Sequence, residues 1–175
     1  YKFGGQGVGY WDTTPGNTGN AYRNDDVDLQ ATGDTGGGYN VGWTAAGEWL
    51  AYDIAVPQAG THDVIVRAAS TTNTGLFKLQ LNGVDVTGPI AIPNTGAWQT
   101  YTDVVVPDVN FTTAATELRF VFLGGNANIN YIQIGEPVLP YTVTQLMLIN
   151  ADSDTVIGPL TNGAALNLAL LPTTN

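Results

Sequence analysis

Thr61-His62-Asp63-Val64-Ile65-Val66-Arg67-Ala68-Ala69 largely alternates polar and apolar side chains. That is the period-two pattern of a strand buried on one face. Comparable runs occur at Glu48–Val56, Leu76–Leu81, Trp98–Val106, Glu117–Phe122 and Ile129–Ile134. Turn signals stand between them at Gln58-Ala59-Gly60 and Asn82-Gly83. An Asn-Gly pair suits the two positive-φ positions of a tight hairpin. No stretch sustains a helical period. Many short strands joined by such turns predict an all-β sandwich or barrel.

The rest of the chain agrees with one such domain. It has 175 residues, of which 43% are hydrophobic, enough for a core. Charged residues make up only 11%, with 15 acids against 5 bases and a net charge of −10. The bases, Lys2, Arg23, Arg67, Lys78 and Arg119, form no stripe, so no nucleic-acid partner is expected. No apolar run reaches the ~20 residues of a membrane helix, so no membrane insertion is expected. The absence of Cys removes disulfides, thiolate chemistry and Cys-based metal sites. A start at Tyr1 with no Met and no signal peptide reads as a processed or partial form.

Composition shifts twice. Residues 4–24 form a long irregular stretch rich in Gly, Asn, Asp and Thr, and a loop of that length is usually functional or specifically packed. Glu136-Pro137-Val138-Leu139-Pro140 reads as an extended connector. It divides residues 1–136, the sandwich, from residues 137–175, which hold strand-like runs at Thr142–Ile149 and Ala164–Leu171. That tail is too short for a core of its own.

The residues offer little catalysis. His62 is the only His and lies within a strand, where it reads as structural. Ser70 and Ser153 stand in no nucleophile motif. Weak metal candidates are Asp25, Asp26 and Asp28, and Asp152 and Asp154 beyond Asn150. The second set alternates as at the start of a calcium loop, but Thr155 stands where that loop needs Gly. No cofactor is required, and structural Ca²⁺ is the one candidate ion.

A series of motifs runs in consistent order from Gly4-Gly5-Gln6-Gly7-Val8-Gly9-Tyr10-Trp11-Asp12 through Tyr39-Asn40-Val41-Gly42-Trp43 and Gly47-Glu48-Trp49-Leu50. It continues at Gly96-Ala97-Trp98 and Asn128-Ile129-Asn130-Tyr131-Ile132. Over residues 1–135 the chain resembles the family 6 carbohydrate-binding modules. The resemblance implies a jelly-roll β-sandwich without catalytic activity, found outside cells or on their surface, in bacteria above all, with neutral polysaccharide or glycan as partner. It also implies a sugar cleft among the loops, with Tyr39 and Trp98 as its rings, Asn128 as its amide and Glu48 as a polar group close by. An aromatic plane covers the apolar face of a pyranose, and an amide offers donor and acceptor to its hydroxyls. Tyr10 and Trp11 are further candidates for sugar contact.

The family's first strand, with its apolar–Glu–Ala–Glu pattern and calcium-binding carboxylates, would lie upstream of Tyr1, and Asn130 occupies the matching downstream acid position. A sandwich without that strand presents an open edge and an apolar groove. The tail offers strands without a sandwich. The two fit each other, which predicts head-to-tail assembly of copies into a fibre, with Val143, Leu146, Leu148, Leu166 and Leu168 as donor residues. Two other readings stand beside it: a monomeric glycan-binding module cut from a secreted polysaccharide-degrading enzyme, and a tail docked on its own domain.

Overall fold

The computed structural model describes residues 1–138. These residues contain strands and no helix: β1 (Tyr10–Trp11), β2 (Leu29–Ala31), β3 (Tyr39–Val41), β4 (Trp49–Asp53), β5 (Gly60–Ala69), β6 (Leu76–Leu81), β7 (Val84–Asp85), β8 (Ile90–Ala91), β9 (Thr102–Phe111), β10 (Glu117–Gly124) and β11 (Asn128–Val138). One sheet has the order β1-β4-β10-β6-β7, with β8 also on β6. The other has the order β2-β3-β11-β5-β9. All ladders between named strands are antiparallel, and most sheet neighbours are distant in sequence. This is a jelly-roll β-sandwich.

The alternation read from the sequence is the core pattern. Val64, Val66 and Ala68 of β5 are fully buried, as are Phe77 and Leu79 of β6 and Phe120 of β10. Phe77 stacks on Phe120 at 4.6 Å between ring centroids, and Phe122 meets Phe120 edge-on at 4.9 Å. His62 is buried as well: its Nδ1 lies 2.8 Å from the Gly135 carbonyl and its ring packs edge-on against Phe111. Asn82 and Gly83 take φ of 48° and 81°, the positive-φ pair expected of a two-residue hairpin between β6 and β7.

Three strand expectations need correcting. β4 runs only from Trp49 to Asp53, short of Val56. Trp98 does not open a strand. Asn94 Oδ1 accepts the Gly96 N–H at 2.8 Å and Thr100 N–H bonds to the Ala97 carbonyl, so the chain turns there and β9 begins only at Thr102. β9 then runs past Val106, because the ladder to β5 absorbs Pro107 and Asp108 as a bulge between His62 and Val64. As the outer strand of its sheet, β9 tolerates a proline that a central strand would not. At the other end, β11 continues through Glu136 and Pro137 to Val138, where the sequence reads as connector.

The irregular residues 4–24 are ordered by side chains that cap backbone N–H groups. Asn17 Oδ1 accepts from Gly19 and Leu29, and its Nδ2 donates to the carbonyls of Ala21 and Arg23. Asp26 accepts from Gly16 and Asp28 from Thr18. That is why Asn and Asp abound here: each supplies the partner that a non-repetitive backbone lacks. Tyr10 is buried in the core, whereas Trp11 is exposed.

Between the sheets, at the β2–β3–β11 side, lies a groove of about 1070 Å³. Leu29, Val41, Tyr52, Ile54, Ile132 and Ile134 contribute its apolar surface. The β3 ladder meets β11 at Ile129 only. From Tyr131 onward, among the described residues, β11 has a strand partner on its β5 side alone. Asp152, Asp154 and the candidate donor residues Val143, Leu146, Leu148, Leu166 and Leu168 lie outside the described residues.

Candidate functional site

Three loops meet at one end of the sandwich: residues 42–48 after β3, residues 92–101 before β9, and residues 125–127 before β11. Buried hydroxyls join them. Ser70 Oγ donates to the Asn126 carbonyl at 2.6 Å, while its backbone N–H and carbonyl both bond to Thr95 Oγ1. Thr44 Oγ1 donates to the Ala127 carbonyl and accepts from the Ala127 N–H. Ser70 and Thr44 are buried, so Ser70 is a strut rather than a nucleophile.

The loops enclose a pocket of about 280 Å³ lined by Gln30, Trp43, Trp98, Gln99, Asn126 and Asn128. That is close to the ~300 Å³ lower end of small-molecule sites. Two indoles and four amides form it, and none of the six carries a charge. Trp43 is 51% exposed and Trp98 42%. Trp43 has φ of 49°, an uncommon conformation for a bulky side chain and a form of strain that concentrates at functional sites. Asn128 is buried, and its Nδ2 donates to the Trp98 carbonyl at 2.7 Å, fixing the backbone that bears that ring.

Of the residues expected from the sequence, the structure brings Trp98 and Asn128 together. It does not bring Tyr39 to them: that ring stacks on Tyr22 at 4.9 Å and lines the large groove instead. The strand ends between the two aromatics. Tyr39 keeps its place on β3, whereas Trp43, beyond Gly42, turns into the pocket wall. Glu48 is buried and already engaged: Oε1 accepts from Thr13 N–H and Oγ1, and Oε2 from Ala45 N–H. It knits two loops and does not line the pocket. Gln30, Gln99 and Asn126 were not singled out by the sequence, where polar residues in strands and loops are too common to signal a site.

The acids Asp25, Asp26 and Asp28 are likewise occupied. Asp25 accepts from the Tyr1 hydroxyl and pairs with Arg23, and the other two cap backbone groups. Among the described residues, no three His, Asp or Glu side chains converge on a point that could hold a metal. Asn130 Nδ2 donates to Asp34 at 2.9 Å.

Residues 19–136 match the family model for carbohydrate binding module (family 6). The chain belongs to that family. Among solved structures, the family 6 module is similar to one from Cellvibrio mixtus lichenase 5A in complex with cellotriose. Identity is 34%, coverage is 63% of this chain and 86% of the other, and the TM-score is 0.58. The C-terminal family 6 module of a marine laminarinase from Zobellia galactanivorans is 32% identical, with 62% and 89% covered and a TM-score of 0.56. Among curated proteins, the clotting factor G alpha subunit of Tachypleus tridentatus is 37% identical over 110 residues, 62% of this chain. The family 6 module spans only 16% of that relative's length.

Proposed function

We propose that the module holds a neutral β-glucan, one sugar residue seated between Trp43 and Trp98 and oriented by the surrounding amides. The observation that carries this reading is the composition of the pocket. Two exposed indoles suit the C–H face of a pyranose, four amides suit its hydroxyl rim, and no charged group is present to favour an ionic ligand. The relatives point to the polymer: one binds cellotriose, another belongs to a laminarinase. The module itself is non-catalytic, and an extracellular place of action follows from the location of such polymers. Affinity electrophoresis of the chain in gels containing laminarin, soluble cellulose, xylan or agar tests the proposal. Retardation by a glucan supports it, and migration unchanged in every gel overturns it.

A second reading, assembly into a fibre by strand complementation, is favoured by a different observation. The apolar groove beside β11 has the form of a strand acceptor. An extended segment from another copy would add to the Tyr131–Glu136 edge and cover Ile132 and Ile134. Electron microscopy of the purified chain decides it. Fibres that vanish when residues 139–175 are deleted support the reading, and a monomer indifferent to that deletion excludes it.

A further inference from the structure

The β2–β3 loop approaches the pocket but contributes no side chain to it. Its residues Gly36, Gly37 and Gly38 have φ of 96°, 67° and 88°, and a Cβ at any of them would meet nothing within 4 Å. These glycines supply no side-chain packing, and the segment is closed on itself by the Thr32 N–H to the Gly38 carbonyl and the Gly37 N–H to the Asp34 carbonyl. What fixes the loop is Asp34, whose side chain is 7% exposed. Its two carboxylate oxygens accept from Nε and Nη2 of Arg67, both at 2.8 Å, a bidentate fork. Arg67 stands on β5, and its Nη1 also reaches Asp103 on β9 at 3.2 Å. Asn130 of β11 supplies a third donor to Asp34. The loop is thus tied to three adjacent strands.

One residue before Asp34, the Gly33 N–H donates to Gln99 Oε1 at 2.6 Å. A backbone N–H can only donate, so it selects the oxygen of that amide and sets its orientation. The Gln99 oxygen faces the loop and also accepts from the Tyr101 hydroxyl at 3.3 Å. The Gln99 nitrogen faces Asn40 Oδ1 at 3.3 Å, and its second N–H has no partner among the described residues. Neither Asp34 nor Arg67 lines the pocket.

We infer that the Asp34–Arg67 clamp is a positioning device for the pocket, holding the loop so that Gln99 presents an N–H donor to a sugar hydroxyl. This rests on the proposed glucan binding. The Arg67 fork, helped by the Asn130 amide, holds the Asp34 carboxyl well below its ordinary range against the opposing effect of burial.

A double-mutant cycle on the full chain tests it, with laminarin and cellotriose as probes in titration calorimetry. Arg67→Gln and Gln99→Ala each lower affinity about fivefold, the worth of one neutral hydrogen bond, and the double variant loses no more than either. Arg67→Lys, which keeps the charge but not the fork, falls between. Additive losses, or an Arg67→Gln chain that binds as the parent does, overturn the inference. The side-chain amide resonances of Gln99 give a readout independent of sugar: one sharp pair in the parent, broadened in Arg67→Gln. Unchanged resonances overturn the clamp, even where neither probe binds and the glucan reading has itself failed. If Arg67→Gln does not fold, Asp34→Asn removes the ionic fork with less change in volume and carries the same expectations.

Discussion

Replacing Trp43, Trp98 and Tyr39 one at a time by Ala separates the pocket from the neighbouring groove. Trp43 and Trp98 are 51% and 42% exposed. On a side chain of up to ~250 Å², that leaves about 125 and 105 Å² open. A pyranose stacked on one face covers about half of each, some 50–60 Å² of apolar surface. At ~25 cal/mol per Å², each ring contributes about 1.3–1.5 kcal/mol, or close to tenfold in affinity. Neither ring belongs to the core cluster, but about half of each is covered, so each variant is first checked for a cooperative melting transition. Tyr39, which stacks on Tyr22 beside the groove, leaves affinity within twofold when replaced. Calorimetric titration with cellotriose and laminarin measures all three. A Tyr39→Ala chain that loses binding, together with a Trp43→Ala chain that keeps it, would refute the assignment of the two indoles.

Other outcomes follow from the core and the ion pairs. Phe120→Ala removes a fully buried ring stacked on Phe77 and costs about 3–5 kcal/mol, read as a lower denaturant midpoint. Asn82 Oδ1 accepts the Thr116 and Glu117 N–H groups, and its Nδ2 donates to the Ala114 carbonyl. Asn82→Ala therefore loses about 1–3 kcal/mol, while Asn82→Asp, which keeps the acceptor, loses less in the same denaturation assay. The carboxyls of Asp34 and Glu117 are lowered, by hydrogen bonds from Arg67 and Lys2 respectively. Because their folded values lie below the unfolded ones of about 4, their contribution is complete above that pH and lost as pH falls further. Melting temperature is then flat from pH 8 to 5 and drops in acid, and Asp34→Asn flattens the drop; an acid limb unaffected by that change would count against the clamp.

The long strands were legible because a buried face writes itself as alternation: Leu76–Leu81 is a strand from end to end, and β5 differs by one residue. The two-residue strands β1, β7 and β8 are too short to alternate and left no pattern in the sequence. Of the expected cleft residues, Trp98 and Asn128 share a pocket, and Trp43, which the sequence did not single out, stands there in place of Tyr39 because of where β3 stops. That is set by the Gly42 N–H bonding to the Asp28 carbonyl and by the backbone turn at Trp43. Long-range partners of this kind leave no local pattern. Gln99 gave no signal for the same reason, since the group that orients its amide, the Gly33 N–H, is 66 residues away.

The absence of charge in the pocket has a consequence for the medium in which the module works. Raising salt from 0.01 to 1 M shrinks the screening length from ~30 to ~3 Å, which would dissolve a grip made of ion pairs. A grip of ring faces and amides has nothing to screen, and apolar contact persists. The chain's net charge of −10 acts in the opposite sense on acidic polymers, repelling them in dilute buffer and less so in brine. On the proposed reading, ionic strength would leave retention on a neutral glucan untouched while setting how strictly charged polysaccharides are turned away.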